Sequence, residues 1–202
     1  MKPSSLGVFF ASATAWFLAL TLLWLQVSAW TSYPVAGITH VVLEQGAKDW
    51  VRKIHKTPGQ LQVDTRIEMS IPGQGRAELI VEVDPAHNAY GLPLFFALLL
   101  AARGRHLIRR ALAGYLLLLI PQAFSLVFDI LKQIIVAGGT PAHLGIASWT
   151  LEAIALSFQF GSLVLPTLAP VALWLWLDQD FFEAVVVGGW LRKTSLRKRL
   201  AP

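Results

Sequence analysis

Cysteine is absent from this chain of 202 residues, and charge is scarce, at 14%. The first absence rules out disulfides, thiolate nucleophiles and cysteine-based metal sites, and with them a transpeptidase of the cysteine class. The second, set beside a hydrophobic share of 55%, rules out an ordinary soluble domain, in which about a quarter of residues are charged. Catalytic signatures are missing too. The five histidines (His40, His55, His87, His106 and His143) show no HExxH or clustered spacing. No GxSxG, phosphate-loop or dinucleotide fingerprint occurs either. Ser125 and Lys132 stand seven positions apart, roughly 10 Å along a helix and too far for a direct hydrogen bond. No catalysis, cofactor or metal is expected.

What the chain does have is long apolar blocks. Leu6 to Trp30 runs for 25 residues without a charge. A secretory signal has an apolar region of about 7–15 residues, so this block reads as a retained anchor, although Val27-Ser28-Ala29 resembles a cleavage site. Ala11, Ala15 and Ala19 make a ridge of small residues suited to close helix packing. Further spans are expected over 85–102, 111–136 and 146–177, the last kinked at Pro166 and Pro170. Gly138-Gly139-Thr140-Pro141 is the expected turn between the last two.

Residues 31–89 are the one sizeable polar region. From Ile38 to Ile54 the apolar residues Val41, Val42, Ala47, Trp50 and Val51 keep a helical period, with Lys48, Arg52, Lys53 and Lys56 around the other surface. That pattern predicts an amphipathic helix. After Pro58-Gly59 the period becomes two: Leu61, Val63, Thr65, Ile67, Met69 and Ile71, then a turn at Pro72–Gly75, then Ala77, Leu79, Val81 and Val83. This predicts a β-hairpin whose apolar face is covered by the preceding helix. Beyond Asp178, Phe181, Phe182, Val185, Val186 and Trp190 lead into Arg192, Lys193, Arg197, Lys198 and Arg199, an interfacial helix with a basic end.

The expected fold is a mainly α membrane protein. Four transmembrane helices carry a small periplasmic helix plus β-hairpin insert between helices 1 and 2. Its parts are an anchor (1–30), the periplasmic module (31–89), a three-helix membrane region (90–177) and a cytoplasmic amphipathic tail (178–202). Charge sets the orientation. With both termini in the cytoplasm, ten basic residues lie inside (Lys2, Arg103, Arg105, Arg109, Arg110 and the five of the tail) against six in the 31–89 module. This reads as a multi-pass protein of the bacterial inner membrane. The net charge of +5 sits beside apolar spans, where orientation and anionic lipid account for it, rather than nucleic acid.

The third span is the one the rest is organised around. Gln122, Ser125, Asp129 and Lys132 share one helical face, and polar groups in a span normally face protein. Ser148, Glu152, Ala155, Gln159, Ser162 and Pro166 make a matching face in the fourth span. An antiparallel hairpin would set Gln122 against Gln159 and Asp129 against Glu152, with Lys132 within reach of both acids. Such a seam has two readings: structural glue between two helices, or a recognition site for another membrane segment. Asn88 and Tyr90, at the expected outer interface, join Gln122, Asp129, Lys132, Glu152 and Gln159 as candidate partner-binding residues.

Three runs carry a family resemblance: NAYGLPLFFALLLA from Asn88, IPQAFSLVFDILKQ from Ile120, and LSFQFGSLVLPTLAPVALWL from Leu156. The chain resembles the exosortase H-associated membrane proteins, small bacterial proteins found with exosortase H. The resemblance rests on Tyr90–Leu94, Asp129 and Lys132, Gln159–Gly161 and Leu165–Pro170, and covers most of the chain; Asn88-Ala89 departs from the family pattern. It implies an accessory role beside a protein-sorting system, in which a separate Cys-His-Arg transpeptidase processes C-terminal signals of secreted proteins. An exosortase or its sorting-signal substrates are the implied partners, beside membrane lipid; oligomeric state is left open. Other readings are a scaffold or export subunit of envelope polysaccharide assembly, and a small transporter.

Overall fold

The computed structural model of the chain describes residues 6–57, 59–71, 75–104, 106–138, 146–179 and 183. The turns expected at Pro72–Gly75 and Gly138–Pro141 lie partly, and the basic tail helix almost wholly, outside the described residues. An uncharged run without proline forms α1 (Leu6–Thr31). Ser32 interrupts it, and α2 (Tyr33–Gly46) follows at once with Pro34 in its first turn, where a missing N–H costs nothing.

The helix expected over 38–54 ends at Gly46 instead, and its second half is a strand. β1 (Val51–Thr57), β2 (Gln60–Ile71) and β3 (Gly75–Val83) form an antiparallel sheet in the order β1-β2-β3. The expected hairpin is thus its β2–β3 half. A register shift between Val51 and Lys53 explains the misreading. A bulge adds a residue, so Val51 and Ile54, three apart, both turn inward as they would on a helix. A second shift lies between Asp64 and Glu68. There the buried Thr65 hydroxyl donates to Leu79 O at 2.8 Å and accepts from Ile67 N at 3.2 Å, which satisfies the disturbed ladder.

The apolar face of the sheet (Ile54, Leu61, Val63, Leu79, Val81, Val83) is covered by α2 through Val35, Ala36 and Leu43, as expected. It has a second cover as well. Leu119, Ala123, Leu126, Val127, Ile130 and Ile134 of α4 (Leu107–Ala137) belong to the same core.

A second core lies among α1, α3 (Gly91–Ala102), α4 and α6 (Leu165–Leu177). Phe9 stacks on Trp174 with centroids 5.5 Å apart, and Phe95 fills the notch left by Gly114, where any Cβ would strike its ring. No residue of α3 is exposed. At the far end Arg103 and His106 adopt left-handed backbone (φ 51° and 57°), which reverses the chain into α4. Below that turn Arg110 Nη1 pairs with Asp178 Oδ1 at 2.7 Å.

The chain is a membrane protein: Gly7–Thr31, Leu107–Ala137 and Ser148–Leu177 are each long and apolar enough to cross a bilayer. Among the described residues three helices meet that length, where four spans were expected. α3 has only 12 residues, about 18 Å against a hydrocarbon core of about 30 Å. The span expected over 85–102 is shortened because Asp84 accepts from Ala86 N at 2.8 Å. That bond caps a separate 3₁₀ turn over Pro85–Asn88, which takes up its first residues.

Candidate functional site

The last span is one continuous helical stretch with a defect in the middle. α5 (Ser148–Gln159) passes into a π-helical turn, Phe160–Val164, and then into α6. The defect follows from proline. Leu165 N bonds to Phe160 O, so Gly161 O would need the next amide, and that residue is Pro166, which has none. For the same reason Ser162 O lacks its ordinary helical donor. Both carbonyls are met by side chains from elsewhere. Ser125 Oγ lies 2.6 Å from Gly161 O and 2.9 Å from Pro121 O. Its single proton goes to Gly161 O, since Pro121 O has Ser125 N in helical position. Tyr90 O–H donates to Ser162 O at 3.0 Å. One turn lower, Pro170 withholds a donor from Pro166 O, and Gly91 packs directly on that oxygen, where a Cβ would collide.

Buried polar side chains gather at this junction. Asn88 (2% exposed) donates from Nδ2 to Asp129 Oδ2 at 3.3 Å. Gln133 Nε2 donates to Asp129 Oδ1 at 3.2 Å. Asp129 is therefore a buried carboxylate (8% exposed) held by two neutral amides; hydrogen bonds of this kind offset its desolvation. Lys132 does not approach it as a salt bridge but lies over the Phe158 ring, Nζ 4.7 Å from the centroid. Gln122, 5% exposed, lines a cavity of about 10 Å³ with Asn88, Gly91, Ser125, Pro166 and Pro170. That is room for one water molecule and nothing larger. Among the described residues no three His, Asp or Glu side chains come together.

The expected seam is half right. Gln122, Ser125 and Asp129 are buried on one face of α4, but their partners are Asn88, Gly161 and the proline-rich start of α6. Ser148, Glu152, Ala155 and Gln159 are all exposed, and the side of α5 turned to the protein is that of Ile154. The pairings of Gln122 with Gln159 and of Asp129 with Glu152 are not formed. The faces meet only below the π turn, where Pro166 is buried. Of the candidate partner-binding residues, Asn88 and Asp129 are bonded to each other, Gln122 is buried with its Oε1 unpartnered, Lys132 is partly covered, and Tyr90, Glu152 and Gln159 stay exposed. Sequence reasoning missed the Asn88–Asp129 contact, the two carbonyl rescues and the Arg110–Asp178 pair. The proline at Pro166 was the available signal for the rescues, because it names the carbonyl it deprives.

The runs Tyr90–Leu94, Pro121–Asp129, Gln159–Gly161 and Leu165–Pro170 therefore all converge on one packed junction. No curated protein and no solved structure matches the chain. The family model of the exosortase H-associated membrane proteins matches residues 3–181, and the chain belongs to that family.

Proposed function

We propose that the chain is a non-catalytic accessory of a protein-sorting system in the bacterial inner membrane, and that it works by holding a partner, an exosortase or its substrate, against the outer half of its last span. The observation that supports this most directly is the exposure of Glu152 and Gln159 on an otherwise apolar helix. Neither has a polar partner among the described residues, and unpaired polar groups in a span normally find one in protein. The family membership supports the exosortase as partner. Asn88, Gln122, Ser125 and Asp129 serve as the rigid joint that fixes the angle of α5.

In this reading α3 is a fourth crossing. With none of its residues exposed and most of them buried, it meets little lipid whose thickness it has to match. Both termini then lie in the cytoplasm and the α2–sheet module outside, in line with the basic residues around Arg103–Arg110. The test is purification of the tagged protein in mild detergent from cells that carry an exosortase. The expected outcome is retention of the exosortase at a fixed ratio; its absence from the purified material, with the tagged protein folded, removes the reading.

A further inference from the structure

The exposed apolar surface of α1 does not stop where α1 does. Ser32 separates α1 from α2, yet its backbone is right-handed helical (φ −89°, ψ −8°). Its N–H bonds to Ser28 O at 3.0 Å, and its own carbonyl accepts from Ala36 N at 3.2 Å. Both are ordinary helical bonds across four residues, so the turn count runs through the boundary. The break follows from Pro34, which withholds the donor that Trp30 O would take, and it leaves the register intact. At spacings of three and four, Leu23, Val27 and Trp30 on α1 therefore lead through Pro34 to Ile38 and Val41 on α2, with Val42 beside them. All of them are exposed, Trp30 at 71% and Val41 at 54%.

α2 thus has three sides. One, with Val35, Ala36 and Leu43, is buried on the sheet. A second, with Ile38, Val41 and Val42, continues the ridge from α1. The third carries His40 and Glu44, whose Nε2 and Oε1 lie 2.8 Å apart. No single solvent suits the last two: water leaves the aliphatic side chains unburied, and lipid strands a carboxylate. The border between them is marked as well. Gly37 lies between Glu44 and Val41 around the helix, and a Cβ there would stand 3.4 Å from Lys56 Nζ. The same amine sits over the Tyr33 ring, 4.6 Å from its centroid. Tyrosine and lysine are residues that collect where acyl chains give way to headgroups.

From this we infer that α2 is seated in the surface of the bilayer, with its Ile38–Val41–Val42 side among the upper acyl chains of phospholipid and its His40–Glu44 side in water. Continuity names the occupant. The α1 part of the ridge belongs to a helix long and apolar enough to cross a membrane, whose exposed side chains meet lipid. No polar side chain interrupts the line from Trp30 to Val41. The α2–sheet module accordingly lies against the membrane by one flank, and the partner proposed for α5 plays no part in this seating.

The chain has no cysteine, so single introduced cysteines each report one position. Ile38→Cys, Val41→Cys, Glu44→Cys and Glu82→Cys replace exposed side chains in the full-length protein, the last on the outward face of the sheet. Each is labelled with a small fluorophore and reconstituted in vesicles of phosphatidylethanolamine and phosphatidylglycerol, and an unchanged melting temperature confirms the fold. Two quenchers read the surroundings: iodide in the water, and phospholipid brominated either high on the acyl chain or near its end. Labels at Ile38 and Val41 are expected to show several-fold less iodide quenching than those at Glu44 and Glu82. Bromine high on the chain is expected to quench them most, because an interfacial helix buries its apolar side by about 5–10 Å. Iodide quenching equal at all four positions overturns the inference, since water then covers the strip. So does protection from iodide without quenching by either brominated lipid, which places a second copy of the protein there. Strongest quenching by bromine near the chain end overturns it too, because α2 then lies deep among the acyl chains rather than at their border.

Discussion

At the scale of single residues, the junction is a consequence of one missing proton. Pro166 has no N–H, so the preceding turn is short of a main-chain donor, and hydroxyls from Ser125 and Tyr90 bond to its carbonyls at Gly161 and Ser162. Each replacement is a hydrogen bond worth about 0.6–1.5 kcal/mol in a span. Tyr90→Phe is expected to lower stability by about that amount. Ser125→Ala is expected to cost more, because Ser125 is 1% exposed and its loss takes the hydroxyl donor from a buried carbonyl, Gly161 O. Thermal unfolding of the two variants in the same detergent measures both. A Tyr90→Phe protein that melts with the wild type would mean that Ser162 O has another donor. The α4 side of this site was legible, because Gln122, Ser125 and Asp129 recur at helical spacing and polar groups in a span turn to protein. The α5 side was not. Periodicity tells which residues share a face of a helix, and it is silent on where that face points. Ser148, Glu152 and Gln159 share a face, and it points away.

At the scale of elements, the sequence is a good guide to what is long and uniform, and a poor one to what is interrupted. α1 and α4 stand close to where the apolar runs put them, and the alternation gives the right inward residues at Leu61, Val63 and Thr65 of β2 and at Leu79, Val81 and Val83 of β3. β1 was hidden because a bulge makes Val51 and Ile54 mimic a helical period, and a single added residue leaves no compositional trace. Arg110 and Asp178 stand in sequence as one of the basic residues after the second apolar block and as the first residue of the tail; their partnership needs the ends of α4 and α6 to meet, a contact 68 positions apart in sequence. That pair is a test of how the two helices are tied. Asp178 is 2% exposed, so Arg110→Met strands a buried carboxylate, and a loss of about 3–5 kcal/mol is expected. The double variant Arg110→Met with Asp178→Leu removes both charges and is expected to recover most of it. Chemical denaturation in mixed micelles reads the cycle. A single variant as stable as the wild type would show that the pair is solvated and holds nothing.

At the scale of the whole molecule, the region between α1 and α3 resembles a small extramembrane domain in sequence but does not own a core. Its sheet presents seven buried apolar side chains, from Val51 to Val83, and α2 is too short to cover them alone. The rest of the cover is α4, which from Leu119 onward contributes six residues to the same core while its earlier turns pack on α3. One helix therefore joins both halves of the protein, and the joint with Asn88, Tyr90 and the π turn sits where it passes from one core to the other. An isolated sheet of three strands needs its apolar face closed to be stable in water. Residues 31–89 produced alone are accordingly expected to lack a cooperative thermal transition by circular dichroism. The same segment fused through a flexible linker to residues 117–137 is expected to gain one, with Leu126→Asp in the fused helix abolishing it. If 31–89 alone melts cooperatively, with dispersed amide resonances, the module is self-sufficient, and α4 is merely a neighbour rather than its missing wall.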